Sequence, residues 1–290
     1  MNWMKYRPLY LLLSMVMIGA GLFSLFRWGL NLGVDFKGGA MAEYKTQNVI
    51  STEEATRKIE EKGIVVSSAQ AIGADAYLFR LGNINNDQRG IINTVLSDLG
   101  GTSEELRFEN VGPSIGPELI KKTVYALIIA ASLILLWVTI QFKSFKFGTS
   151  AILAMLHDSL VLLGAFSLLG HAFGAEIDFL FVTAMLTILS FSVHDTIVVY
   201  DRVRESQKKL GGSLYDLANR AITETMVRSL NNSFTIIFML VALVLLGGTT
   251  VKWFAIALLI GTVSGTYSSP FVAVPILVTW DELLKKLKRH

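Results

Sequence analysis

Six runs of apolar residues, each close to the length that crosses a bilayer, constrain this chain more than any other feature of it. They lie at about residues 8–26, 124–140, 147–169, 179–200, 234–246 and 253–278. A hydrocarbon core of about 30 Å takes roughly 20 residues of helix, and inside it each backbone N–H and C=O must find its partner within the protein. The reading is therefore six transmembrane helices. Composition agrees: only 17% of the 290 residues are charged, against about 25% in ordinary soluble domains. The fifth run is short and is expected to begin earlier, among the polar residues 228–233. The last contains Pro270 and Pro275 and is expected to be tilted or kinked. Cysteine is absent, which excludes disulfides, thiolate chemistry and cysteine metal sites.

Lys5 and Arg7 ahead of the first run imitate a secretory leader, but no small-residue cleavage site follows. Phe26-Arg27-Trp28 instead has the character of an interfacial anchor, so the first helix is read as uncleaved. Basic residues in the short flanks orient the rest. With the N-terminus in the cytoplasm, the inside segments hold Lys5, Arg7, Lys143, Lys146, Arg202, Arg204, Lys208, Lys209, Arg220, Arg228, Lys285, Lys286, Lys288 and Arg289. The short outside loops hold Lys252 alone, a ratio of fourteen to one. The resulting division is a first helix at 1–30, an outside domain at 31–117, helices two to six at 118–280 with a cytoplasmic loop at 201–228, and a basic tail at 281–290.

The segment 31–117 is long enough for a small domain. Residues 41–46, 64–71, 76–81 and 105–110 read as strands. Residues 51–62 and 85–99 read as helices, the first opening on Ser51-Thr52-Glu53-Glu54 as N-terminal capping favours. The order β-α-β-β-α-β is that of a ferredoxin-like α+β fold. Nothing in it looks catalytic, and a contact module is the expectation. The charged stretch 202–228, with Leu210, Leu214, Leu217 and Ala218 as apolar points, reads as a cytoplasmic helix on the headgroups.

Ionisable groups inside apolar helices cost about 2.5–3.5 kcal/mol each on insertion scales, so they are functional candidates by default. The third helix carries His157 and Asp158, the fourth His194 and Asp195, and Arg228 stands where the fifth begins. Ala151, Ala154 and Ala165 share the face of Asp158, which lets another helix approach and turns the acid toward protein. Asp195 shares its side with Ser192 and, more loosely, Thr187. A buried carboxyl near an arginine can load and release a proton as its surroundings change, and it can equally be a structural bond between helices. Adjacent His and Asp side chains do not converge on a helix, so the two His-Asp pairs do not form a metal site. His171 falls in an outside loop and is read as solvated. On the last helix Ala257, Gly261, Gly265 and Ser269 form a small-residue face suited to tight crossing, and Thr262, Ser264, Thr266, Tyr267 and Ser268 place it near the bundle centre.

These features occur in a recognisable order. Gly33-Val34-Asp35-Phe36-Lys37-Gly38-Gly39 resembles the Gly-x-Asp-Phe-x-Gly-Gly signature shared by the SecD and SecF families, with Asp35, Phe36, Gly38 and Gly39 as its marks. Val111-Gly112-Pro113-Ser114-Ile115-Gly116 resembles their glycine-proline element. His194-Asp195-Thr196-Ile197-Val198-Val199-Tyr200-Asp201-Arg202-Val203-Arg204-Glu205 is similar to the SecF motif Asn-Asp-Thr-Ile-Val-Val-Phe-Asp-Arg-Ile-Arg-Glu, including its Asp201 and Arg202. Arg228-Ser229-Leu230-Asn231-Asn232-Ser233 matches the Arg-Thr-x-x-x-Ser segment, and 261–269 resembles the last helix of the family. One small outside domain favours SecF over SecD.

The resemblance implies a bundle of the resistance-nodulation-division (RND) type in the bacterial cytoplasmic membrane. It implies a non-enzymatic subunit of protein export, with SecD, the SecYEG translocon, YajC, the emerging secretory polypeptide and membrane lipid as partners, and with no nucleic acid, cofactor or metal. It also makes Asp195 and Arg228 the proton-linked pair, with Asp158 and His194 as further candidates. His194 departs from the usual Asn and can titrate near neutral pH. It could join the relay, alter its pH range or be inert, and the coupling ion stays open between H⁺ and Na⁺. The rival readings are an independent RND-type exporter of small molecules or lipids, and an intramembrane hydrolase. The first needs a large apolar pocket in the outside domain. The second needs a nucleophile, base and oxyanion or metal site in one cluster, which cannot be assembled here.

Overall fold

The computed structural model describes residues 1–112 and 115–287. Pro113 and Ser114 of the glycine-proline element, and Lys288 and Arg289 of the basic tail, lie outside the described residues. The chain divides into two compact units, one formed by Met1–Asn31 with Tyr125–His290 and the other by Leu32–Val124.

A 3-10 turn, Trp3–Tyr6, leads into α1, Arg7–Trp28. The second unit follows with α2 (Val34–Lys37), β1 (Gly39–Thr46), α3 (Thr52–Glu61), β2 (Val66–Ala71), β3 (Ala76–Leu81), α4 (Asn86–Gly100) and β4 (Ser103–Val111). Then come α5 (Ile115–Phe142), α6 (Phe145–Phe173), α7 (Phe179–Leu210), α8 (Leu214–Leu246), α9 (Thr249–Ser268), a π-turn (Ser269–Ala273) and α10 (Val274–Leu287). Among the described residues six helical spans are long and apolar enough to cross a membrane, the last being Val251–Leu287 across the π-turn. The break falls at Pro270, whose missing N–H removes a rung from the helical ladder.

The bundle has an inside and an outside. More than half of the apolar window (56%) is buried in α6, in α7 and in the last span, against 17% in α1 and α8 and 6% in α5. The sequence explains the difference. The central helices interleave small residues such as Ala151, Ala154, Ala184, Ala255 and Ala257, all at most 1% exposed, with larger apolar groups such as Leu162, Phe166 and Ile188. By contrast α5 presents Ile128, Ile129, Leu133, Leu136 and Trp137 outward, as a lipid-facing helix does.

The stretch 201–228 corrects one expectation. It is not a separate helix on the headgroups: α7 runs on to Leu210, and α8 begins at Leu214. Between them Gly211 and Gly212 take φ of 63° and 103°, which ends α7 sharply. The Ser213 hydroxyl then accepts from the Asp216 backbone N–H at 3.2 Å and opens α8. Leu217 and Ala218 are buried against the bundle, so the extensions form a packed helical hairpin. Residues 281–287 continue α10, with Asp281 bonded to Lys146 and Lys285. His171 is not in a loop but in the last turn of α6, exposed and stacked on Trp28 with ring centroids 4.4 Å apart.

The second unit is an antiparallel sheet in the order β2-β3-β1-β4, covered on one face by α3 and α4, which is the ferredoxin-like arrangement. Alternation decides its face: Ala40, Ala42 and Tyr44 of β1 and Tyr77, Phe79 and Leu81 of β3 meet Ile59, Ile92 and Leu96 of the helices. Asn85 and Gln88 cap α4 reciprocally. Arg89 of α4 donates through Nε to Glu105 of β4 at 2.7 Å, and Tyr44 donates to the same carboxylate at 3.2 Å. The Arg89 hydrogen bond holds the Glu105 carboxyl below its ordinary range, with smaller help from Tyr44. Burial pushes the Tyr44 phenol well up, and the charge of Glu105 adds to the shift.

Candidate functional site

The two acids of the bundle occupy different environments. Asp158 lies near the middle of α6 and is 0% exposed. Its Oδ2 accepts from Ser192 of α7 and Ser268 of α9, and its Oδ1 from Ser264 of α9, each at 2.6 Å. His157 Nδ1 stands 3.1 Å from Oδ1, so this adjacent pair does converge, against the expectation from helix geometry. The alanines on this face allow the meeting, since Ala151 and Ala154 are buried where neighbouring helices close in. Ser264 and Ser268 are one turn apart on α9, so both hydroxyls reach the same carboxylate.

Asp195 lies midway along the 32 residues of α7, toward the end of its apolar part that leads into the charged extension 201–210. It is 5% exposed, and Ser229 of α8 donates to its Oδ1 at 2.7 Å. Its Oδ2 is buried and has no hydrogen-bond partner among the described residues. Ser192, which the sequence placed on the side of Asp195, serves Asp158 instead. Thr187 is exposed and donates to the Thr183 carbonyl at 2.8 Å, away from both acids.

Arg228 is exposed and makes no hydrogen bond or ion pair with Asp195. Its charge reaches the acid through space only. It lines a polar cavity of about 650 Å³ at the base of α7 and α8, together with Asp201, Arg202, Arg204, Glu205 and Glu224. There Arg202 is bonded to Glu205 at 2.5 Å and to Glu224, while Arg204 is bonded to Asp201 at 2.9 Å and to the Gln141 carbonyl at 2.8 Å. The bonds to Glu224 and Gln141 tie α7 to α8 and α5, while the other two lie within α7. His194 is exposed between the buried Val193 and Asp195.

The small-residue face of α9 packs on α7. A Cβ at Gly261 would stand 2.2 Å from Ile188 Cδ1, and one at Gly265 would stand 3.2 Å from Ser192 Cβ. Ser269 donates to the Ser192 carbonyl at 3.1 Å and shares a hydrogen bond with Thr196 at 2.9 Å. In the other unit the glycine signature forms α2 and the entry to β1. Phe36 is buried, and Gly39, at φ 118°, brings its Cα so close that a Cβ would lie 2.6 Å from the Leu81 carbonyl.

The sequence reading missed Ser229, Ser264 and Ser268 as acid partners. The four-residue spacing of Ser264 and Ser268 was a visible signal; their aim at Asp158 was not, since it depends on how α9 crosses α6. Among the described residues no group of three or more His, Asp or Glu side chains converges as a metal site would.

A six-span bundle with carboxylates buried in α6 and α7, and a ferredoxin-like domain following α1, defines a multi-pass membrane protein of the RND transport type. Residues 91–283 match the family model described as protein export membrane protein SecD/SecF, C-terminal, and residues 23–48 match the SecD/SecF GG motif. The chain belongs to the SecF family of protein-export membrane proteins. It is 40% identical to the protein translocase subunit SecF of Thermobaculum terrenum, over 96% of this chain and 93% of that one. It is 36% identical to the SecDF subunit of Thermus thermophilus, over 90% of this chain and 36% of that one. A crystal structure of the Thermus SecDF superimposes with a TM-score of 0.84 at 32% identity, covering 97% of this chain, which spans only 39% of that longer one. SecDF in a super-membrane-facing form superimposes with a TM-score of 0.71.

Proposed function

We propose that this chain is the SecF partner of a SecD subunit and couples an ion gradient, H⁺ or Na⁺, to the passage of secretory polypeptides emerging from SecYEG, without enzymatic chemistry of its own. One observation carries the reading: a carboxylate, Asp195, is buried in a transmembrane helix with one oxygen bonded by Ser229 and the other without a partner among the described residues. A purely structural carboxylate in such a place is expected to have both oxygens bonded, because an unsatisfied buried group costs about 1–3 kcal/mol or more when charged. An acid that alternately holds and releases a cation tolerates the gap in one of its states.

A second feature supports a SecD-like partner. Thr183, Thr187, Ser190, His194 and Asp201 are exposed on α7 within about 60° of one another on a helical wheel. Glu224, Arg228, Asn231 and Thr235 form a like stripe on α8. The threonines return their hydroxyls to their own helix and suit lipid. His194, Arg228 and Asn231 do not suit it, which favours cover by another protein's helices. YajC and lipid would take the remaining, apolar faces. The basic flanks support the N- and C-termini in the bacterial cytoplasm.

The decisive experiment is Asp195→Asn in a strain with no other copy. Insertion and copurification with SecD are expected to persist while gradient-dependent export is lost; normal export would remove Asp195 from the mechanism. Reporter fusions after Gly82 and His171 are expected outside, and those after Ser144, Gly211 and His290 inside. One inverted loop would break the orientation.

A further inference from the structure

We propose that the groove between α8 and the last span binds one acyl chain of a membrane phospholipid, drawn from the leaflet on the side of the N-terminus, with an anionic headgroup preferred. The site requires only that the chain spans a membrane, and it is independent of the gradient-coupled reading.

Leu230, Phe234 and Ile237 form the α8 wall of this groove, with Met226 at its foot, and Val263, Tyr267 and Phe271 form the wall of the last span. Its volume is about 260 Å³, room for roughly eight or nine water molecules at about 30 Å³ each. Water has little to hold it there, because the hydroxyls of the lining residues are spent inside the protein. Ser233 and Thr266 bond each other at 2.6 Å, and they reach the Ser229 and Thr262 carbonyls at 2.9 and 2.7 Å. Tyr267 donates to the Tyr10 carbonyl of α1 at 2.8 Å. A space without free polar groups stays dry, and left empty it forfeits the contacts of its walls. What fills it is therefore apolar.

An acyl chain suits it better than a helix of another protein. Transmembrane helices come together on small residues, with axes about 8–10 Å apart, whereas this groove is walled by Leu, Phe, Ile, Val and Tyr side chains. Its length and its ends match a lipid. Met226 to Ile237 covers about 16 Å along α8, close to half of a hydrocarbon core of about 30 Å, which is one leaflet. The end nearer Met226 is closed by Trp3, whose Nε1 donates to Thr223 of α8 at 2.9 Å and whose ring lies 5.9 Å from that of Phe271. Trp3 and Trp28 bound the first span as interfacial tryptophans do, so the closed end lies at headgroup depth. Lys5 stands two residues on, exposed and without a carboxylate partner among the described residues. There it complements an anionic headgroup. The wall is also formed in advance. Phe271 belongs to the π-turn, and its ring lies 4.6 Å from that of Tyr10 and 5.5 Å from that of Tyr267, so little ordering of the protein opposes binding. On α8, Met226, Leu230, Ser233 and Ile237 lie roughly opposite the exposed stripe of Glu224, Arg228, Asn231 and Thr235. A protein partner seated on that stripe leaves the groove to lipid.

The test uses the full chain in phosphatidylcholine vesicles doped with phosphatidylglycerol whose acyl chain carries a diazirine, irradiated and mapped by peptide mass spectrometry. Adducts at Leu230, Phe234, Tyr267 and Phe271 are expected severalfold above those at Leu133 and Trp137, exposed residues of α5 that report ordinary lipid contact. They should saturate as the probe fraction rises and fall when unlabelled phosphatidylglycerol is added. Val263→Trp fills the groove from an exposed position and is expected to remove the groove adducts while leaving those on α5. Leu230→Trp fills it from the facing wall and keeps the test open if Val263→Trp does not fold. Lys5→Gln is expected to lower groove labelling by the phosphatidylglycerol probe to the level given by a phosphatidylcholine probe. Groove adducts no more frequent than those on α5, adducts that rise with the probe without saturating, or adducts that survive both fillers would overturn the proposal. So would equal labelling of the wild type by the two probes. Loss of the groove adducts in vesicles that also hold SecD would give the groove to a partner's helix and overturn it as well.

Discussion

Gly261→Ala puts the packing of α9 on α7 under a sharp test. The added Cβ would lie 2.2, 2.3 and 2.6 Å from Cδ1, Cγ1 and Cγ2 of Ile188. Carbon atoms settle at about 3.5–4.0 Å, so all three atoms must withdraw by roughly 1 Å or more. Both branches of the side chain overlap, and a β-branched residue has few alternative rotamers. Ile188 is 3% exposed, so it has nowhere to turn, and α7 and α9 must move apart. Overpacking of this kind costs about 1–3 kcal/mol, occasionally more, and the gain of about 1 kcal/mol in helix propensity from Gly to Ala offsets only part of it. Gly265→Ala meets Ser192 Cβ at 3.2 Å and asks for a few tenths of an ångström, so the same gain leaves it close to neutral. Equilibrium unfolding of both variants in mild detergent is expected to show Gly261→Ala less stable by about 1–2 kcal/mol, with Gly265→Ala within about 0.5 kcal/mol of wild type. In an Ile188→Ala background the penalty of Gly261→Ala should vanish, a coupling of the size contacting residues show. A Gly261→Ala protein as stable as wild type, or a Gly265→Ala protein that is the worse of the two, would refute the reasoning.

Arg228→Lys is expected to keep part of the export activity and Arg228→Ala to lose nearly all of it, because the charge acts on Asp195 through space rather than through a planar fork; full activity of both would reduce Arg228 to a marker of orientation. His194→Asn is expected to shift the pH profile of export within about pH 5–8 without abolishing it, since an imidazole titrates there; superimposable profiles at equal expression would make the residue inert. Glu105→Gln is expected to loosen the ferredoxin-like unit at neutral pH, read by hydrogen exchange of β4. Because the Glu105 carboxyl is held down in the fold by Arg89, its contribution is present above the ordinary carboxylate range and disappears as pH falls through the lowered value. Wild type and variant should therefore converge in acid, and a difference that persists there would assign the effect to something other than charge.

Much of the architecture was legible in the residues because it follows from local rules. Apolar length decides spans, and the predicted strand at 76–81 coincides with β3 because alternation and the flanking turn residues agree there. The buried acids could be named as candidates from their cost in an apolar helix alone, and the kink in the last span from Pro270. Two adjacent glycines between 202 and 228 were equally visible, but whether α7 and α8 stop at the headgroups or extend as a hairpin depends on Leu217 and Ala218 finding the bundle, a long-range contact. Partnership is the harder matter. Ser192 stands three residues from Asp195 yet bonds Asp158, thirty-four residues away, and Asp195 finds Ser229 on the next helix. A helical wheel places a side chain on a face of its own helix, but which neighbour that face meets is set by crossing angles and by the closeness that Gly261 and Gly265 permit. The sequence by itself determined that there would be six spans, a ferredoxin-like domain and costly acids in the third and fourth helices. Only the tertiary structure decided that one acid is enclosed by three serine donors from two other helices and the other is met by a single serine, because hydrogen bonds between helices depend on distances no single helix contains.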